Sequence, residues 1–431
     1  MSYSSNLLEM LQRLGAAEGD HIEVRSEGRD YAGILMPHHQ FSHPDVLIIK
    51  LDSGYNIGIR MGPSSEITAV QKADVRERGP RASSENKGLP LVAVLGTGGT
   101  IASYVDYRTG AVHPALYADS LMAAVPEIAD ICDVQADVLF SKFSEDMTVE
   151  DWQNIAGEVA DRLNSGVEGV IVPHGTDTMG YTSAAISFML GDIPRPVVIT
   201  GAQRSSDRPS SDAYTNLISA ARFIVNSDAA EVVVLMHDSS SDTSAAVHRA
   251  TKVRKMHASR RDAFHSINAP LVARVDFEGE IEHLSPCRKR SDVKVVPRLE
   301  MEKNVSLLQY YPGMSHSMFE KVLSENRGVV IAGTGLGHTS SELFGAIRRA
   351  VASGTFVVMT SQCLYGGVNL NVYATGRDLL SAGVISGEDM LPETAYVKLM
   401  WVLGQTDDDE EVRRLMTSNL RGEITTRREM Q

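Results

Sequence analysis

The sequence predicts an α/β protein: two α/β domains with parallel-type sheets, preceded by a small all-β barrel module. Three observations predict it. From Leu91 onward, apolar runs such as GVIVP, PVVIT and EVVVLM alternate with stretches of helical spacing such as DAYTNLISAARFIVN, the pattern of strands covered by helices on both faces. A second, shorter series of the same kind begins near residue 300. Ahead of both, the first 72 residues alternate apolar and polar positions between frequent turns.

The chain opens on an amphipathic helix carrying Leu7, Leu8, Leu11 and Leu14 and ending at Gly15. Strand-like pieces HIEVRS, YAGILM, VLIIKL and YNIGIRM follow, separated by EGRD, PHHQFSHPD and DSG, so the barrel module is expected over 1–72. Residues 73–90, polar and Pro/Gly-containing without apolar periodicity, read as a linker. The first α/β domain is expected over 91–295. In the second, over 300–431, RGVVIAGTGLG and TFVVMTSQC read as strands, and SSELFGAIRRAVASG and ETAYVKLMWVLG as helices.

Composition narrows the function classes. No run of about 18 apolar residues is present to span a membrane, and MSYSSNLLEML lacks the basic start of a signal peptide, so the cytoplasm is the expected compartment. Cys132, Cys287 and Cys363 are far apart and odd in number, which suits reduced structural thiols rather than a disulfide framework or metal site. His38, His39 and His43 read as a solvated loop, and no metal is expected. A formal net charge of −14 argues against nucleic acid binding over a broad face, although basic runs stand at 252–261 and 288–290.

The chemistry gathers where strands end. LVAVLGTGGTIAS at 91–103 puts three glycines and two threonines after an apolar strand. Counting from Gly96 gives Gly98 and then Ile101, so the dinucleotide fingerprint fails, and the phosphate loop's Gly-Lys-Ser/Thr is absent. Thr97 and Thr100 remain as hydroxyls on a strand-to-helix turn. Three further strand ends carry SKFSEDM (141–147), PHGTDTMG (173–180) and TGAQRSSDRPSSD (200–212), and parallel strands bring such loops to one edge. With Lys255 downstream, they offer hydroxyls, a carboxylate, an amine and backbone donors, which is what amide hydrolysis requires. His174 reads as a hydrogen-bonded structural residue.

TGGTIAS, HGTDTM, GAQRSSDRPSSDAYTNL and VRKMHASRRDAF, in that order, resemble the L-asparaginase family from about residue 90 to the C-terminus. The resemblance implies that Thr100 is the nucleophile, that Thr176 and Asp177 form the family's Thr-Asp pair, and that Lys255 polarises Thr176. Lys252 competes for that last role, but the family places a phenylalanine nine residues after the lysine, and Phe264 fits Lys255 alone. Ser144 and Glu145 fall where the family holds the substrate's amino-acid head group, Asp177 resembles a contact for its α-ammonium, and Gly99 and Gly175 are expected to line the same pocket. Two positions depart: the family's mobile tyrosine has no aligned counterpart, with only Tyr104 and Tyr107 nearby, and an asparagine that some members contribute across a subunit interface falls near Leu336.

A front module ahead of such a body resembles the asparaginase-like subunits of archaeal glutamyl-tRNA(Gln) amidotransferases. That resemblance implies release of ammonia from glutamine or asparagine, with no cofactor in this chain. A larger amidotransferase partner would use ATP and magnesium to amidate glutamyl-tRNA(Gln), and the body would form a homodimer. A free-standing L-asparaginase and a non-catalytic tRNA-binding scaffold are the alternatives.

Overall fold

The computed structural model describes residues 3–17, 20–36, 43–51, 56–71, 88–98, 103–106, 111–114, 126–204, 211–241 and 243–425. Most of the expected linker lies outside them. The front module is built from α1 (Ser5–Arg13) and strands β1 (His21–Ser26), β2 (Arg29–Leu35), β3 (Val46–Lys50), β4 (Asn56–Arg60) and β5 (Glu66–Gln71), in the antiparallel order β4-β3-β2-β1-β5. Leu7 and Leu11 of the helix share a small core with Ile22, Val24, Leu47 and Ile49. Glu27 and Gly28 both take positive φ in the turn joining β1 to β2, the geometry that a tight right-twisted hairpin requires. The strand β5 has no counterpart in the expected four. It is a short edge strand, paired to β1 with a register break at Glu23/Val24.

The second sheet has eight strands: β6 (Leu91–Gly98), β9 (Asp133–Lys142), β10 (Gly169–Pro173), β11 (Val197–Thr200), β12 (Val232–His237), β13 (Ser244–Arg249), β16 (Ala273–Asp276) and β17 (Ile281–His283). Two hairpins stand outside it, β7 (Ser103–Asp106) with β8 (Ala111–Pro114), and β14 (Val253–Lys255) with β15 (Phe264–Ser266). The order is β17-β16-β13-β12-β11-β10-β6-β9. The parallel expectation holds for β9, β6, β10, β11 and β12, whereas β13, β16 and β17 run antiparallel. The cause is connection length, since the few residues between His237 and Ser244 allow a hairpin return but no helical crossover.

Helices α2 (Val149–Asn164) and α3 (Met179–Leu190) cover one face of this sheet and α4 (Ala213–Asn226) the other. The second α/β unit is a parallel sheet, β18 (Val305–Gln309), β19 (Gly328–Gly333), β20 (Phe356–Ser361) and β21 (Ile385–Ser386) in sequence order, with α5 (His316–Glu325), α6 (Phe344–Ala352), α7 (Ala374–Ser381), α8 (Pro392–Gln405) and α9 (Asp409–Thr417). One apolar core runs through both units. The helix α3 is buried on nearly every side and therefore lacks a polar stripe, and Phe188 on it stacks on Trp401 of α8 with ring centroids 5.9 Å apart. Two ion pairs are fully buried: Lys252 with Asp389 at 2.7 Å across the interface, and Lys398 with Glu423 at 2.6 Å within the second unit. The ammonium of Lys398 also donates to the carbonyls of Met416 and Ser418, so all three of its N–H groups are used. No described helix is long and apolar enough to cross a membrane.

Candidate active site

The sheet order places the site. From β6 the chain goes outward to β9 and then returns to β10 on β6's other side, so β6 and β10 flank the point where strand order reverses. Loops at their carboxyl ends open a crevice there. Gly98 ends β6 with φ +103, and a Cβ on it would lie 2.5 Å from the carbonyl oxygen of Lys142 in β9, so only glycine allows this close approach. Thr97 is fully buried and its hydroxyl donates to the Pro173 carbonyl at 2.8 Å, which ties β6 to β10 and commits that hydroxyl to structure. Gly99 and Thr100 lie outside the described residues.

On the β10 loop, Thr176 is buried and Asp177 is exposed. Lys255 Nζ donates to Thr176 Oγ1 and to Asp177 Oδ1, each at 2.8 Å. A cation donating to a hydroxyl oxygen stabilises that oxygen as negative charge develops on it. The lysine is presented by the β14–β15 hairpin, in which Lys255 is paired across the strands with Phe264, itself buried in the core. Lys252, three residues earlier, points elsewhere: it is fully buried on Asp389. Thus Thr176, Asp177 and Lys255 converge, and Lys252 is not with them.

Ser144 and Glu145 sit on the turn after β9. Ser144 is buried and its hydroxyl donates to Glu145 Oε2 at 3.5 Å, while Glu145 is exposed. A Cβ on Gly175 would lie 2.7 Å from Ser144 Cβ, so the β9 and β10 loops touch at a point where a side chain has no room. Thr178 Oγ1 donates to the Ser144 carbonyl at 2.6 Å and fastens the two loops together. From behind, Lys142 pairs with Asp151 at 2.7 Å, and Asp151 shares a reciprocal cap with Thr148 at the start of α2. Thr178 and Asp151 carry no role in the sequence reading. The Thr-x-x-Asp spacing before an apolar-periodic run was the signal for the cap, whereas nothing local marks a hydroxyl that reaches 34 residues back.

The β11 loop is set by buried polar groups. Asp212 accepts the backbone N–H groups of Gln203 and Arg204, Asn216 donates to the Gly201 carbonyl, and His237 Nδ1 donates to Asn216 Oδ1 at 2.7 Å. His174 is fully buried, its Nδ1 donating to the Gly175 carbonyl at 2.6 Å, and burial pushes its pKa down to about 4. It is a neutral structural imidazole at physiological pH.

Other candidates fall elsewhere. Tyr104 lies on β7, and Tyr107 lies outside the described residues. Leu336 is half-buried in the turn after β19, its carbonyl accepting the Asn369 N–H. His38 and His39 are outside the described residues, and His43 stands 3.6 Å from Asp45. Burial pushes the Cys132 thiol up to about 12. In the basic run at 288–290, Lys289 pairs with Asp228 and Arg290 with Glu168, while Arg288 shares Asp192 with Arg421.

Comparison with known proteins agrees with this fold. Residues 91–286 match the model of the asparaginase N-terminal domain, 304–416 that of the glutaminase/asparaginase C-terminal domain, and 16–70 that of the GatD N-terminal domain. Among solved structures, the thermostable L-asparaginase from Thermococcus kodakarensis has a TM-score of 0.70 at 34% identity, covering 78% of this chain and 100% of its own. L-asparaginase I from Vibrio cholerae has a TM-score of 0.68 at 31% identity, covering 78% and 99%. Curated relatives extend over the front module as well. The GatD subunit of glutamyl-tRNA(Gln) amidotransferase from Pyrococcus furiosus is 54% identical over 97% of both chains, and that from Thermofilum pendens is 46% identical over 99% of this chain and 97% of its own. The chain belongs to the GatD family of glutamyl-tRNA(Gln) amidotransferase subunits.

Proposed function

We infer that this chain is the amidohydrolase subunit of a tRNA-dependent amidotransferase, releasing ammonia from glutamine or asparagine for the conversion of Glu-tRNA(Gln) to Gln-tRNA(Gln). The observation that carries this reading is the Thr176–Asp177–Lys255 contact set, standing at the strand-order reversal of a chain whose likeness to GatD relatives includes the front module. In the reaction, the Thr100 oxygen attacks the amide carbon and the C–N bond breaks. The Thr100 proton passes by way of the Thr176–Lys255 pair to the departing nitrogen, which leaves as ammonia. Water then hydrolyses the ester on Thr100. Asp177, Ser144 and Glu145 hold the substrate head group, with Gly99 and Gly175 leaving room for its approach.

A larger partner, GatE, uses ATP and magnesium to activate and amidate glutamyl-tRNA(Gln), and this chain needs no cofactor of its own. The body pairs as a homodimer, and the complex works in the cytoplasm. A subunit that feeds ammonia to another centre wastes glutamine unless completion of its loops waits for the acceptor complex. Glutamine hydrolysis by the full chain is therefore expected to be slow alone and to rise when the larger partner and glutamyl-tRNA(Gln) are added. A full rate from the isolated chain, unchanged by both, would overturn the amidotransferase reading and leave a free-standing asparaginase.

A further inference from the structure

Between the end of α3, the start of β12 and the segment after α9 lies a cavity of about 260 Å³, lined by Ser187, Glu231, Arg249, Arg288, Asn419 and Arg421 among others. It shares no residue with the Thr176–Lys255 cluster. Three guanidinium groups meet there against two carboxylates. Glu231 accepts Arg249 Nε at 3.1 Å and the Arg288 backbone N–H at 2.9 Å; Asp192 accepts Arg421 Nη1 at 2.6 Å and lies 3.4 Å from Arg288 Nη1. Two further guanidinium donors reach backbone carbonyls, Arg249 that of Pro286 and Arg288 that of Leu420. One positive charge is left over, in a chain whose net charge is −14.

The excess falls on Arg288, whose side chain is 42% exposed, while Arg249 and Arg421 each hold a carboxylate at close range. Side-chain exposure is 16% for Arg249 and 18% for Arg421, so two of the three guanidiniums are largely out of water. Burial, with the charge of Arg288 adding to it, pulls the Arg421 guanidinium below its ordinary value. Crowding like charges in a desolvated concavity is unfavourable unless an anion completes the set. Planar guanidiniums that converge from different elements match the oxygens of a phosphate.

We propose that this cavity binds a phosphate group, presented either by a small phosphorylated molecule or by a nucleic acid backbone. The group sits between Arg249, Arg288 and Arg421 and draws the segment at 419–422 against β12 and β13. Arg249 also leads into the catalytic hairpin, its carbonyl accepting the Lys252 N–H at 3.0 Å.

The test is calorimetric titration of the full chain with inorganic phosphate, ionic strength being held constant with chloride. One saturable site is expected. Arg288→Gln should weaken it about tenfold or more, the scale of a lost charge-assisted hydrogen bond. Asp192→Asn should tighten it by about threefold, the scale of a partly exposed charge interaction. Both positions are substantially exposed, at 42% and 68%, so both variants should fold, which thermal unfolding checks. Unacylated tRNA and ribose 5-phosphate then serve as competitors, and whichever displaces phosphate identifies the source. Heats that do not saturate, two variants that shift affinity in the same direction, or displacement by neither competitor, which would leave an adventitious ion only, would each overturn the proposal.

Discussion

Lys252 and Lys255 stand three residues apart at the head of one hairpin, yet they live in different media. Lys252 is sealed in the interface between the two α/β units, where burial pulls its pKa down and Asp389 works to hold its charge. Lys255 reaches the crevice, where it divides its hydrogen bonds between a hydroxyl and a carboxylate that is 67% exposed. A buried pair is dear to break and adds little that an apolar pair would not; a half-exposed pair contributes little to stability but leaves its cation beside reacting atoms. What separates the two lysines is surroundings, not residue type.

Function should follow that difference most strongly at the crevice. Lys255→Ala is expected to lower glutamine hydrolysis by several powers of ten, as is Thr100→Val, which removes one hydroxyl while keeping a similar shape. Lys255→Ala should cost only about 1 kcal/mol of stability, since the carboxylate it loses is 67% exposed. Rate and urea midpoint measured on the same preparations decide it. Near wild-type turnover in Lys255→Ala would break the comparison.

Stability should follow it at the interface. Lys252→Met leaves Asp389 buried without its cation, and Asp389 also accepts the Thr425 N–H and anchors Asn268 through its carbonyl. Removing one partner of such a pair costs about 3–5 kcal/mol, whereas replacing both by apolar residues restores much of it. Lys252→Met should therefore unfold early while the folded fraction still turns over, and adding Asp389→Leu should move the midpoint back. A Lys252→Met protein with normal stability and no turnover would reverse the roles assigned to the two lysines.

A smaller effect is expected where the β9 and β10 loops touch. Gly175→Ala puts a methyl 2.7 Å from Ser144 Cβ and 3.1 Å from its backbone nitrogen. Overpacking of this kind costs about 1–3 kcal/mol. The loop that holds Ser144 should yield first, so the Michaelis constant for glutamine should rise more than the turnover number falls. Equal loss in both would place the damage at Thr176 instead.

Much of this was legible from residues alone, for identifiable reasons. The parallel strands announced themselves because burial on both faces forces near-continuous β-branched runs, and β10, β11 and β12 are such runs. The antiparallel additions were hidden. The strands β14, β15 and β17 have three residues each, too few to establish an alternation. Lys255 could be separated from Lys252 through its spacing to Phe264, and the pairing of those two residues across the hairpin is the physical content of that spacing. The partner of Lys252 could not be foreseen, since Asp389 lies 137 residues away and a buried ion pair leaves no local pattern. The same holds for Thr178, whose acceptor is a main-chain carbonyl on another loop.

The smallest effect concerns two buried histidines, and it extends the contrast between sealed and solvated groups. His174 sits within the motif that carries Thr176 and Asp177, but it is as secluded as Lys252; burial holds its pKa at about 4 and that of His248 at about 3. Among the described residues neither Nε2 has a hydrogen-bond partner, so neither ring gains from a second proton there. In the unfolded chain each titrates near the ordinary value of about 6.5. Between pH 7 and pH 6 the unfolded state therefore takes up protons that the native state refuses, and stability falls as pH falls. Linkage sets the loss at roughly 0.7 kcal/mol per histidine over that unit, continuing down to about pH 4 and levelling off below the native values. Urea midpoints at pH 7 and pH 6 should show the decline, and His174→Gln, though less stable throughout, should show a shallower one by about that amount. An unchanged slope in the variant would mean that His174 accepts a proton in the folded protein, and the imidazole would then have to be counted among the groups that work at the crevice.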